Sequence, residues 1–112
     1  MPIPVTVNFR DMFPSPSVDA FVRRWATRLE RVDPRVQRCE VTIDQPHRHH
    51  ERGNRFRVHV LISVPGKEIA VTQDPGEDGA HDDVRVAVRD SFRAARRQLE
   101  ENARRSRTHR AA

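Results

Sequence analysis

Apolar residues along the chain recur with two periods, and the switches between them divide it into elements. In PVTVNFRDM (4–12), Val5, Val7 and Phe9 alternate with Thr6, Asn8 and Arg10, the period of a strand with one buried face. PSPS follows, offering Ser15 as an N-cap and Pro16 as the first helical residue. Val18, Phe21, Val22, Trp25, Leu29 and Val32 then recur at helical spacing. Asp33-Pro34 ends that helix, because the residue before a proline is pushed out of the α region.

Alternation returns in VQRCEVTID (36–44), with Cys39, Val41 and Ile43 on one face and Arg38, Glu40 and Thr42 on the other. A polar loop, QPHRHHERGN, leads to RFRVHVLISV (55–64). There Phe56, Val58, Val60, Ile62 and Val64 share a face opposite Arg57 and His59. Pro65-Gly66 is a turn signal joining this strand to KEIAVT in a hairpin. The acidic loop QDPGEDGAHDD opens a final helix, with Asp82 and Asp83 placed to cap it and complement its dipole. Each strand carries one apolar and one polar face, so one sheet face is expected to hold both helices. The fold class is therefore α+β: a two-layer sandwich of order β-α-β-β-β-α, a four-stranded sheet with two helices on one face. Residues 1–105 are expected to form one domain and 106–112 a flexible basic tail.

Charge changes this picture. The 112-residue chain has a formal net charge of +5, and of its 21 basic residues only Lys67 is a lysine. A GC-rich genome would explain arginine over lysine, but not where the arginines sit. At 100° per residue, Val84, Val88, Phe92, Ala95, Leu99 and Ala103 of the final helix fall in a core stripe about 100° wide. Arg85, Arg89, Arg93, Arg96, Arg97 and Arg104 fall in the adjoining arc with Glu100 the only acid among them, Asp90 and Glu101 lying just beyond. On the first helix Arg24, Arg28 and Arg31 share one edge beside the apolar stripe. Solvated helix faces usually mix signs so that i,i+4 pairs form. Rows of like charge repel, and an anionic partner would relieve them.

The class of anion follows by comparison. No glycine-rich phosphate loop is present among four glycines. The bulky apolar residues beside the arginines serve the core rather than a membrane. A long polyanion fits best. Neither a helix-turn-helix nor a zinc finger appears, so no DNA specificity is expected, and structured RNA held through phosphate and shape is the better fit.

Other chemistry is weaker. His47, Arg48, His49 and His50 invite a metal reading with His59 or His81, but a charged hairpin loop supplies neither fixed geometry nor supporting hydrogen bonds. A secondary RNA contact is a better reading of that loop than a metal site, and a merely solvated loop is the plainest reading of all. Cys39, the single cysteine, sits at an inward strand position, where a small buried hydrophobe is the default. Trp25 could stack on a base, yet its stripe position favours the core. The carboxylates of DPGEDGAHDD match no EF-hand spacing. No catalytic residue, metal site or cofactor is expected. The N-terminal stretch lacks the basic and apolar regions of a signal peptide, and no run reaches the roughly 20 apolar residues of a membrane span. A cytoplasmic protein, monomeric when free, is expected.

CEVTIDQPHRHHERGNRFRVHVLISVPGKEIAV (39–71), AHDDVRVAVRDSFRAARRQLE (80–100) and FVRRWATRLERV (21–32) together carry a family likeness. The sequence resembles the ribosome hibernation-promoting factor, or ribosome-associated inhibitor, family (S30EA-type, sigma-54 modulation proteins) in its short form, from about Val5 to Arg105. The resemblance implies a non-enzymatic protein that occupies the mRNA-tRNA channel of the small ribosomal subunit and faces 16S-type rRNA with basic helices. Arg28 and Arg97 fall on basic positions of the family's helices. Trp25, Ala94 and Glu101 stand where relatives often carry a basic residue, Arg85 replaces a frequent tyrosine, and Arg89 a frequent aspartate, which implies a contact surface shifted around the helix. The chain reaches Ala112 without the extra C-terminal domain of long relatives, so it is expected to stall ribosomes without pairing them. The rival expectations are a general binder of structured RNA, not specific to the decoding channel, and an interaction module for an acidic protein.

Overall fold

The computed structural model describes residues 3–45, 56–73 and 83–111, with side chains as far as Ser106. Its elements are β1 (Val5–Arg10), α1 (Pro16–Val32), β2 (Arg38–Asp44), β3 (Arg57–Val64), β4 (Lys67–Gln73) and α2 (Val84–Ala111). The expected order β-α-β-β-β-α and α+β class hold, and α2 continues into the segment that the sequence set apart as a tail.

The four strands lie in the order β1-β2-β3-β4. β1 and β2 are parallel, with Val5 opposite Cys39, Val7 opposite Val41 and Phe9 opposite Ile43. A parallel neighbour cannot be reached by a tight turn, and α1 supplies the crossover. β2–β3 and β3–β4 are antiparallel. The β3–β4 turn is Pro65-Gly66, where Pro65 fixes its own φ and Gly66 takes φ +74°, a conformation costly for any side chain with a Cβ.

Local signals set both ends of α1. Ser15 Oγ accepts from the Val18 amide at 3.3 Å, and Pro16 occupies the first turn, where its missing N–H costs nothing. At the other end Asp33 leaves the helix with φ −149°, and its amide donates to Leu29 O. The buried Asp33 carboxylate accepts from the Arg35 amide, Nε and Nη2, each at 3.0 Å. Arg35 Nη1 reaches on to Ser106 Oγ at 2.9 Å, tying the α1–β2 loop to the far part of α2. Asp83 begins α2: its Oδ1 accepts from the Arg85 amide at 2.9 Å and its carbonyl from the Ala87 amide.

Inward residues of all four strands meet both helices in one core, with Val41, Ile43, Val58, Val60, Ile62, Val22, Ala26, Val88, Ala95 and Leu99 fully or nearly fully buried. The opposite sheet face is open and polar, carrying Thr6, Glu40, Thr42, His59 and Thr72. α2 packs on β3, β4 and α1 together, while α1 lies over β1. Contact with a sheet and a helix needs a wider buried stripe than a single surface would, so Ala87, Ser91 and Ala94 are buried in addition to the expected positions, and Val84 is only half-buried. Ser91 is tolerated there because its hydroxyl donates to Ala87 O at 2.8 Å.

Among the described residues Phe92 is the largest fully buried side chain. Phe92→Ala is expected to cost about 3–5 kcal/mol through lost contact and an unfilled cavity, read as a lower midpoint in urea unfolding; a change below about 1 kcal/mol would show that Phe92 is not central to the core.

Candidate nucleic-acid interface

The two helices run side by side in the same direction, and their polar edges meet. Near their starts, Arg24 from α1 and Arg85 from α2 both lie over the Phe21 ring, with Cζ 5.8 and 5.6 Å from its centroid. One turn on, Trp25 stacks on Phe92 with centroids 6.2 Å apart and planes 21° apart, and meets Phe21 edge-on at 6.4 Å. The exposed Arg28 lies over the Trp25 ring, its Cζ 4.6 Å from the ring centroid. Further along, Arg28 and Arg31 of α1 face Arg96, Arg97 and Arg104 of α2 across an open groove of about 800 Å³. Val32 and Ala103 contribute its apolar lining.

This convergence follows from helix periodicity. Residues beside an apolar stripe lie along the seam when two such stripes pack together. Arg28 and Arg31 follow the buried Ala26 and flank Leu29, while Arg96 and Arg97 fall between the buried Ala95 and Leu99.

Counter-charge in the groove is incomplete. Five arginines line it against two glutamates, Glu100 and Glu101. Glu100 pairs with Arg96 at 3.8 Å and Glu101 with Arg105 at 3.5 Å, both one turn apart and solvent-exposed. Such pairs are worth roughly 0.2–1 kcal/mol and are loosened by salt. Among the described residues no carboxylate pairs with Arg24, Arg28, Arg31, Arg93 or Arg97. Charge is less sorted than the sequence led one to expect: Glu101 reaches the groove, and Arg89 lies 3.2 Å from Asp90.

Of the nine arginines singled out in the sequence, Arg28, Arg31, Arg96, Arg97 and Arg104 come together in the groove, and Arg24 and Arg85 meet at Phe21. Arg89 and Arg93 stand on α2 away from the groove lining. His47, Arg48, His49 and His50 lie outside the described residues, as do His81 and Asp82. His59 sits on the open sheet face with Nδ1 2.7 Å from Thr72 Oγ1. No cluster of three or more histidine, cysteine, aspartate or glutamate side chains suited to a metal occurs among the described residues. Sequence reasoning placed both Phe21 and Trp25 on the apolar stripe, yet both rings also seat arginines. The signal was available within α1, because side chains three residues apart are neighbours on a helix: Phe21 with Arg24, Trp25 with Arg28. The Arg85 contact depends on tertiary packing and had no local signal.

Cys39 is 1% exposed, and burial, helped by the neighbouring Glu40 charge, pushes its thiol up to about 12 from an ordinary 9.0. A thiol held protonated is a poor nucleophile. Because the folded value is raised, the stabilisation it reflects is present in full below pH 9.0 and is lost as pH rises towards 12. With no tyrosine and one lysine in the chain, little else titrates in that window. The urea midpoint is expected to fall between about pH 9 and pH 11 in the wild type and to stay nearly level in Cys39→Val; parallel declines would show that Cys39 is not the group responsible.

No curated protein matches this sequence. Among solved structures, the fold is similar to the N-terminal domain of Protein Y from Thermus thermophilus, with TM-score 0.67, 15% identity, and coverage of 90% of this chain and 98% of that one. It is similar also to a ribosomal subunit interface protein from Coxiella burnetii, with TM-score 0.68, 12% identity and the same two coverages. At such identities the likeness speaks for the fold. The sequence itself matches the family described as Sigma 54 modulation protein / S30EA ribosomal protein over residues 5–107, nearly its whole length, and the chain belongs to that family.

Proposed function

We propose that this protein is a cytoplasmic, non-enzymatic ribosome-binding factor that inhibits translation by occupying the mRNA-tRNA channel of the small subunit, its arginine-bearing helical seam set against rRNA phosphates. The observation that carries this reading is the meeting of Arg28 and Arg31 with Arg96, Arg97 and Arg104 along one groove, in a chain of the S30EA family. Arginine suits the role because its planar fork matches two phosphate oxygens and keeps its charge at any cellular pH. At Arg28, Arg31 and Arg97, which pair with no carboxylate among the described residues, an anion that arrives displaces only water and counterions. Binding energy then comes largely from counterion release and falls steeply with salt. The ribosome-linked name of the Coxiella burnetii protein, which shares the fold, agrees with this reading.

The experiment is co-sedimentation of the purified protein with separated small and large ribosomal subunits across a salt series. Saturable one-to-one binding to the small subunit is expected, abolished when mRNA and initiator tRNA already fill the channel. Five phosphate contacts would weaken binding about 500-fold between ~50 and ~200 mM salt. Equal, unsaturable binding to both subunits would identify a general RNA binder. Binding that survives nuclease treatment would identify an acidic protein partner. Arg31→Glu with Arg97→Glu, one change on each wall of the groove, is expected to weaken small-subunit binding at least ~100-fold with the circular dichroism spectrum unchanged; undiminished binding would mean that another face makes the contact.

A further inference from the structure

Phe92, Trp25 and Arg28 form a column that runs from the core to the surface. Phe92 is 1% exposed, Trp25 is half-buried against it, and Arg28 is exposed above Trp25. We propose that this column is a base-stacking site, which takes one unpaired nucleobase of RNA on the outer side of the Arg28 guanidinium. The inference rests on RNA being the partner, as argued above, and it names the feature of the RNA that is read.

Three observations support it. First, Arg28 has no carboxylate partner among the described residues, and the indole beneath it is held by Phe92 and by the edge of Phe21. Its guanidinium is thus placed in advance rather than ordered on binding, which lowers the entropic cost of association. Second, a guanidinium laid on an aromatic ring keeps its other side for a second planar group, and unpaired bases stack on arginine as well as on aromatic side chains. An ammonium has no such plane. Third, Arg28 is also part of the groove wall, so phosphates on either side of a stacked base fall within reach of Arg31, Arg96 and Arg97. A phosphate-only surface would need charge at this position but no aromatic pad beneath it. Trp25 is accordingly a positioning residue, acting through Arg28.

Trp25 is the sole tryptophan and tyrosine is absent, so intrinsic emission reports on this column alone. The test titrates the protein with a single-stranded oligoadenylate of about eight nucleotides, whose bases are unpaired, and with inorganic polyphosphate of matched charge, which has phosphates but no bases. Oligoadenylate is expected to bind roughly tenfold tighter than polyphosphate and to quench Trp25 emission, the effect of one added stacked base. Arg28→Lys, which keeps the charge and loses the plane, is expected to forfeit that tenfold advantage while holding polyphosphate within about twofold of wild type. Arg97→Lys serves as the comparison and is expected to leave the advantage in place. Equal wild-type affinity for the two polyanions, or an Arg28→Lys protein that keeps the preference, would overturn the base-stacking site. These results are independent of subunit co-sedimentation: a protein that binds small subunits but shows no base preference would retain the proposed function and lose this inference. Failure of the wild type to bind either polyanion would overturn the base-stacking site and leave the proposed function to stand or fall on subunit co-sedimentation.

Discussion

Everything at the candidate interface depends on the packing of α1 against α2 through Trp25 and Phe92. That contact brings together two arginine-lined edges that would otherwise repel. The magnitudes show why it can. Two guanidiniums about 8 Å apart in a water-like medium repel by roughly 0.5 kcal/mol, and salt reduces this further. Burying one large apolar side chain contributes about 1.5–3 kcal/mol. The seam holds because burial outweighs repulsion, and repulsion persists because so few carboxylates answer it. Stability and readiness for an anion thus arise from one arrangement.

The sheet contributes by fixing where the helices lie. α1 is carried across β1 to reach the parallel β2, and α2 returns over β3 and β4, so the helices end side by side on one face. The Asp33–Arg35–Ser106 chain of hydrogen bonds then holds the far part of α2 against the α1–β2 loop. Rigid placement matters for a surface built from arginines, since each long side chain loses freedom on binding. Three of them, Arg24, Arg28 and Arg85, are already seated on aromatic rings.

Much of the fold was legible because its signals are local. Ser15-Pro16, Asp33-Pro34 and Pro65-Gly66 mark boundaries that depend on backbone chemistry within a few residues. Beyond the β3–β4 hairpin, which Pro65-Gly66 announced, strand order and the parallel β1–β2 pairing were not legible, since that pairing is decided by contacts distant in sequence. The arginine rows could be placed on each helix by angle alone. Their meeting across a groove could not, nor could the reach of Glu101 into it, because both depend on how the helices pack. Ala87, Ser91 and Ala94 were missed as core for the same reason. Small and weakly apolar residues give little periodic signal, yet they allow a helix to approach two neighbours at once.

The central claim is that the α1–α2 seam, rather than the open sheet face, meets the ribosome. A cryo-electron microscopy map of the protein bound to small subunits tests it most directly. Density is expected in the mRNA-tRNA channel, with the groove of Arg28, Arg31, Arg96, Arg97 and Arg104 against rRNA phosphates and Thr42, His59 and Thr72 turned away. A map with the sheet face on the rRNA, or with the protein bound elsewhere on the subunit, would contradict it.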